Sequence, residues 1–196
     1  MVMDARSLAA LVLQCRNGDK GAWDALVEQY WQRLYSYAVH ATYSSELATD
    51  LVQETFLRVV QKLDRYEDQG KFEAWLFRIL VNLVRDNSRS LSRHPVRSGH
   101  AGTADQTVDL IDSTPGKAAC PSFPAEHKEH VDRLYAAMEK LPDLDRQVLL
   151  LRHYGDMPFK EIARTLNCPL GTVLARAHRA LAKLRVLMGV SHEPHQ

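Results

Sequence analysis

Residues 159–173 read FKEIARTLNCPLGTV. Ile162, Ala163 and Leu166 fall on the inner side of a short helix, and Ala163 is small enough for a second helix to cross closely. Asn167 tolerates the left-handed conformation that ends a helix. Asn167-Cys168-Pro169 makes a tight turn, and a last helix runs from Leu170 to Met188 with Val173, Ala177 and Leu181 recurring along its inner face. An ordinary helical hairpin has this spacing, and so does a helix-turn-helix, which projects its second helix at the width of a DNA major groove. Charge favours the second. No acidic residue lies between Glu161 and Glu193, while Arg164, Arg176, Arg179, Lys183 and Arg185 do, with His178 beside them. A basic helix without acids suits a polyanion, because each phosphate contact releases condensed counterions.

The whole chain does not advertise this. Its 196 residues carry a formal charge of +1. That figure averages a first segment, Met1 to Ser92, with 11 basic and 12 acidic residues, and a last one, Lys128 to Gln196, with 11 and 8. A composition of 45% hydrophobic and 25% charged residues is ordinary for a globular protein. Cys15, Cys120 and Cys168 are odd in number and far apart, which suits a reducing cytoplasm. No run approaches the roughly 20 apolar residues of a membrane span. Met1 to Arg16 lacks the pattern of a secretory leader. A soluble cytoplasmic protein without direct membrane insertion is expected.

Punctuation divides the chain in three. There is no proline from Arg6 to Leu91, whereas Ser88 to Pro124 turns to Ser, His, Pro, Gly, Thr and Asp without a clear period. Helical periodicity resumes at Glu126. The fold class is therefore all-α: two small helical domains, 1–92 and 126–190, joined by a flexible linker, 93–125, and followed by a short tail, 191–196. A linker of about 30 residues reaches roughly 30 Å, so the domains can grip separate parts of one large target. Domain one reads as helices from Ser7 to Arg16, from Ala22 to Ala41, a third running to about Leu63, and a fourth from Phe72 to about Arg89. Ser44 and Ser45 are caps for the third, whose apolar stripe is Leu47, Leu51, Val52, Thr55, Phe56, Val59, Val60 and Leu63. Domain two reads as Glu126 to Lys140, a helix from Leu141-Pro142-Asp143 to Tyr154 closed by Gly155, Pro158 to Leu166, and Leu170 to Met188.

Two polar faces stand out in domain one. Asp50, Gln53, Glu54 and Arg58 share one side of the third helix, as an ordinary solvated face does. On the fourth, Arg78, Asn82, Arg85, Asp86 and Arg89 recur at three and four, next to Tyr66, Phe72, Trp75 and Phe77. Cations, an amide and aromatics on one element suit unpaired nucleic acid, since rings stack on bases and amides read base edges; Trp75 and Phe72 also suit the core. Enzyme signatures are missing: no phosphate-binding glycine loop, HExxH or nucleophile elbow occurs. Cys120, His127 and His130 match no usual zinc spacing, and Cys168 reads as a small buried residue. Neither catalysis, a metal nor a cofactor is expected.

Taken in order, these blocks resemble the sigma-70 family of bacterial transcription initiation factors, in its extracytoplasmic-function (ECF) group. "GDKGAWDALVEQYWQRLYSYA" is similar to region 2.1, "ATDLVQETFLRVVQKLDRY" to region 2.2 and "FEAWLFRILVNLVRD" to region 2.4. "LPDLDRQVLLLRHYGDMPFKEIARTLNCPLGTVLARAHRALAKL" is similar to the winged-helix-like region 4. The resemblance implies that the chain binds core RNA polymerase and recognises and melts promoters. The polar face with Asp50, Gln53, Glu54 and Arg58 would then dock on the clamp helices of the large subunit, and region 4 on its flap. Tyr66, Lys71, Arg78, Asn82, Arg85 and Asp86 would hold the melted minus-ten element around a flipped base. Thr172, Leu174, Ala175, Arg176, His178, Arg179 and Lys183 would meet the minus-thirty-five element. The resemblance also implies an anti-sigma partner, free or membrane-bound, and nucleoid association in the holoenzyme.

The chain departs from the family after "GTV". A basic residue and a serine commonly follow there; here Leu174 and Ala175 do, which donate no hydrogen bond but allow apolar contact with thymine or shape readout. The rival reading is a conventional helix-turn-helix regulator that binds duplex DNA without polymerase, usually as a symmetric dimer.

Overall fold

The computed structural model describes residues 5–67, 70–93 and 125–189. All regular structure among them is helical: α1 (Ala5–Arg16), α2 (Lys20–Thr42), α3 (Ser45–Lys62), a 3₁₀ turn (Leu63–Arg65), α4 (Phe72–Arg93), α5 (Ala125–Glu139), α6 (Asp143–His153), α7 (Phe159–Leu166) and α8 (Leu170–Leu187). The expected order of eight helices is met, and no β-wing accompanies the helix-turn-helix among the described residues. The expected linker and tail lie outside the described residues except at helix ends, as does the side chain of Cys120.

Local chemistry sets the boundaries. Asp19 accepts from the amide of Ala22 through Oδ1 at 3.2 Å, which starts α2. Ser44 caps α3 by accepting from the amide of Leu47 at 3.2 Å, as expected. Asn167 ends α7 in the left-handed region at φ 51°. The glycine after α6 is dictated by space: a Cβ on Gly155 would sit 2.7 Å from the carbonyl oxygen of Leu151.

Helices α2, α3 and α4 pack around Leu26, Leu34, Val52, Val59, Leu76, Phe77 and Leu80, all fully buried. Each such side chain is worth about 1.5–3 kcal/mol of transfer free energy. The same apolar cluster continues into the second half of the chain through Val148, Leu151, Met157 and Ile162, because α6 packs on α2 and α7 on α4. A smaller cluster of Ala137, Leu141, Ala180 and Leu184 seats α5 on α8.

Three expected burials are corrected. Val60 is 52% exposed, because the α3 stripe centred on Val52, Phe56 and Val59 turns it outward. Leu181 is 49% exposed, and Ala180 and Leu184 occupy the inner face in its place. A strict repeat of four drifts about 40° per step from the 3.6-residue turn, so a third member leaves the buried sector. Cys168 is half-buried at the surface, where its Sγ accepts from Arg176 Nη1 at 3.7 Å.

Candidate nucleic-acid interface

The chain offers three polar faces. On α3, Asp50 and Gln53 are exposed, and Glu54 accepts from Arg58 Nε at 2.8 Å across one turn. Leu57 continues this face one turn further and is 58% exposed, with Val60 at its edge. The face is thus acidic at one end and apolar at the other, which the charge pattern alone did not mark. Leu57 falls at i+3 and i+4 from Glu54 and Gln53, and that spacing was the available signal.

On α4, Arg78, Asn82 and Asp86 point to solvent and Arg85 is half-buried. The opposite side of the helix is core, through Leu76, Phe77, Leu80, Val81 and Val84. Tyr66 and Lys71 lie in the connection before α4. Tyr66 is half-buried, with its ring centroid 4.6 Å from Trp75 and 5.7 Å from Phe72. These rings form a wall beside the N-terminal end of α4, and Trp75 is accordingly part of the packing. Lys71 Nζ reaches 3.2 Å to Glu161 Oε1 on α7.

On α8, Leu174, Ala175, His178, Arg179 and Lys183 are exposed, while Thr172 and Arg176 are half-buried. Arg179 forks onto the carboxylate of Asp145 at 3.2 and 3.4 Å. Lys183 Nζ donates to the carbonyl of Lys140 at 2.6 Å. Beside the turn, Lys160, Ala163, Arg164, Asn167, Cys168 and Pro169 line an open cleft. Lys160 was not singled out by the sequence; it sits four residues from Arg164 on the same helix face, and Arg164 is held in an ion pair with Glu161 at 2.6 Å.

The two halves meet through a cluster the sequence left unremarked. Arg33 donates through Nη1 to Glu73 at 2.9 Å and through Nε to the backbone carbonyl of Tyr154 at 2.9 Å. Its guanidinium also lies 5.6 Å from the centroid of Tyr30, whose hydroxyl donates to Glu73 at 3.2 Å. His40 stacks on Tyr135 at 4.2 Å and Tyr154 at 5.8 Å. Burial, and then the nearby His153, lower its pKa from the usual 6.5 to about 4. Arg146 lies 4.8 Å from the ring centroid of Tyr43. Tyr30-Arg33-Tyr37 at spacings of three and four was a legible hint that Arg33 shares an aromatic face.

No group of three or more potential metal ligands occurs among the described residues, and no helix there is long and apolar enough to cross a membrane.

Residues 26–94 match the family model of sigma-70 region 2, and residues 132–184 that of sigma-70 region 4. The ECF RNA polymerase sigma factor EcfG of Rhodopseudomonas palustris is 31% identical over 157 residues, 80% of this chain and 80% of that protein. The chain belongs to the ECF RNA polymerase sigma factors. The ECF sigma factor SigW of Bacillus subtilis is 29% identical over 175 residues, covering 89% of this chain and 92% of SigW. Among solved structures, CnrH in complex with the cytosolic domain of CnrY superposes with a TM-score of 0.64 and 25% identity, over 96% of this chain and all of CnrH. These relatives favour a transcription initiation factor over a conventional regulator. In this sigma factor the three polar faces fall on α3 and α4, within the region 2 match, and on α8, within the region 4 match.

Proposed function

We propose that this sigma factor docks on core RNA polymerase through α3, holds the melted minus-ten element along α4, and reads the minus-thirty-five element with α8. The observation that carries the reading is the outward row Arg78, Asn82 and Asp86 on α4, bordered by the aromatic wall of Tyr66 and Trp75. A conventional regulator has no use for a second nucleic-acid face with an amide and rings at one end. Asn82 supplies a donor and an acceptor to a base edge, Arg78 and Arg85 supply phosphate contacts, and Asp86 accepts from a base amine. On α3, Asp50, Gln53, Glu54 and Arg58 supply polar contacts to the clamp helices, and Leu57 adds apolar area at their end.

DNA binding is divided between the domains. Region 4, spanning 126–190 and including Thr172, Arg176, His178, Arg179 and Lys183, takes duplex DNA in its groove and the polymerase flap on another side. Region 2, within 1–92, takes unpaired DNA. Linker 93–125 lets the two act at a distance. The protein catalyses no covalent step itself. It works in the cytoplasm, joins the nucleoid as part of the holoenzyme, and is restrained by an anti-sigma partner, as CnrH and CnrY are found together.

Promoter fragments with and without core polymerase test this reading by mobility shift and permanganate footprinting. The expected result is duplex opening around minus ten only when the protein and the core enzyme are both present. Tight duplex binding by the free protein as a symmetric dimer, unchanged by core, would overturn it.

A further inference from the structure

The recognition helix presents two unlike shoulders. Its inner face is set by Val173, Ala177, Ala180 and Leu184, all buried. Directly opposite lie Gly171, Ala175 and Ala182, exposed and small, with His178 between them. A side chain added at Gly171 would meet nothing within 4 Å, so this ridge can approach a groove floor closely. On one shoulder, Arg176, Arg179 and Lys183 are all tied back to their own domain, by Cys168 Sγ at 3.7 Å, the Asp145 carboxylate at 3.2 Å and the Lys140 carbonyl at 2.6 Å. On the other shoulder, Leu170, Leu174 and Leu181 stand 44, 46 and 49% exposed.

Resting on the reading that α8 enters the minus-thirty-five groove, we propose that Leu174 is a specificity-determining residue that seats on the C5 methyl group of a thymine. The N-terminal end of a recognition helix is the part that meets base edges. Leu174 lies one turn into α8, beside the small ridge, whereas Leu181 lies about 10 Å further along the axis. In the major groove only thymine offers an apolar group; guanine, cytosine and adenine offer donors or acceptors that a leucine leaves unpaired. The arginine fork that reads guanine is not available from Arg179 while it is held by Asp145, a carboxylate that is itself buried. The selection is thus for a methyl group on one strand rather than for a hydrogen-bonding pattern.

The test uses holoenzyme assembled from the full chain and bacterial core polymerase. Promoters with a randomised minus-thirty-five element are selected for binding, and each enriched thymine is replaced singly by uracil, which removes only the methyl group. At one position the substitution is expected to weaken binding about fourfold, what one buried methyl is worth. With Leu174→Ala the same substitution should matter less than about 1.5-fold, and with Leu174→Lys the enriched base should move from thymine towards guanine. Leu174 is a surface position, so both variants keep the helical content against which folding is checked. An enriched element in which uracil is tolerated throughout, or an equal uracil penalty in Leu174→Ala, overturns the proposal and leaves α8 as the duplex reader. No enrichment of any element overturns the assignment of α8 itself.

Discussion

Lys71 Nζ and Glu161 Oε1 stand 3.2 Å apart, joining the loop ahead of α4 to the first helix of the helix-turn-helix. Glu161 also accepts from Arg164 Nη1 at 2.6 Å and is 9% exposed. One carboxylate therefore holds two cations, Lys71 ahead of α4 and Arg164 beside the cleft at the turn. A nucleic-acid phosphate would compete with this carboxylate for both cations. Glu161→Gln removes that charge while keeping the shape. The expected outcome is a weaker domain contact, by about 1 kcal/mol for a partly exposed pair, and a severalfold gain in affinity of the free protein for single-stranded minus-ten DNA. Fluorescence anisotropy measures the second; an unchanged affinity would show that the pair does not compete with DNA.

The His40 stack makes the same contact pH-dependent. Burial between Tyr135 and Tyr154, with His153 nearby, lowers the His40 pKa to about 4. When the domains part, the imidazole regains its usual value near 6.5. The separated form then binds the proton more readily, so the closed form is favoured less as pH falls from 6.5 to 4, and nothing changes above 6.5 on this account. Small-angle scattering across that range should show the radius of gyration rising towards acid, and the rise should vanish in His40→Phe, which keeps a stacking ring.

Leu57 ends the acidic face of α3 in an apolar side chain that is 58% exposed. Leu57→Asp costs little fold stability at such a site. It should weaken core-polymerase binding at least tenfold, measured by competition against labelled wild-type protein, while leaving region 4 binding to duplex DNA intact.

Asn82 is exposed on α4, between Arg78 and Asp86. Asn82→Ala should leave core binding unchanged and reduce promoter opening, read by permanganate reactivity, by about tenfold, the value of one base-edge contact. An equal loss of both activities would mark Asn82 as structural.

Most of the helical order was legible because apolar residues at three and four separate the buried face from the wet one, and because Ser44 and Asn167 act through local chemistry. The same pattern failed at Val60 and Leu181, where the sector a helix buries is narrower than an unbroken run of apolar residues suggests. The polar rows on α3 and α4 were legible as rows. The ties from Arg33 to Tyr154, Lys71 to Glu161 and Arg179 to Asp145 were not, since each links residues more than 30 positions apart and depends on how whole helices pack.

As a sigma factor, this chain turns core RNA polymerase into a promoter-specific enzyme. The decisive measurement is run-off transcription from a genomic promoter library, with core polymerase alone and with the protein added. A small set of discrete start sites that appears only with the protein, and weakens with Asn82→Ala, is the predicted result. Transcript profiles identical with and without the protein, under conditions where it is folded and in excess over core, would contradict it.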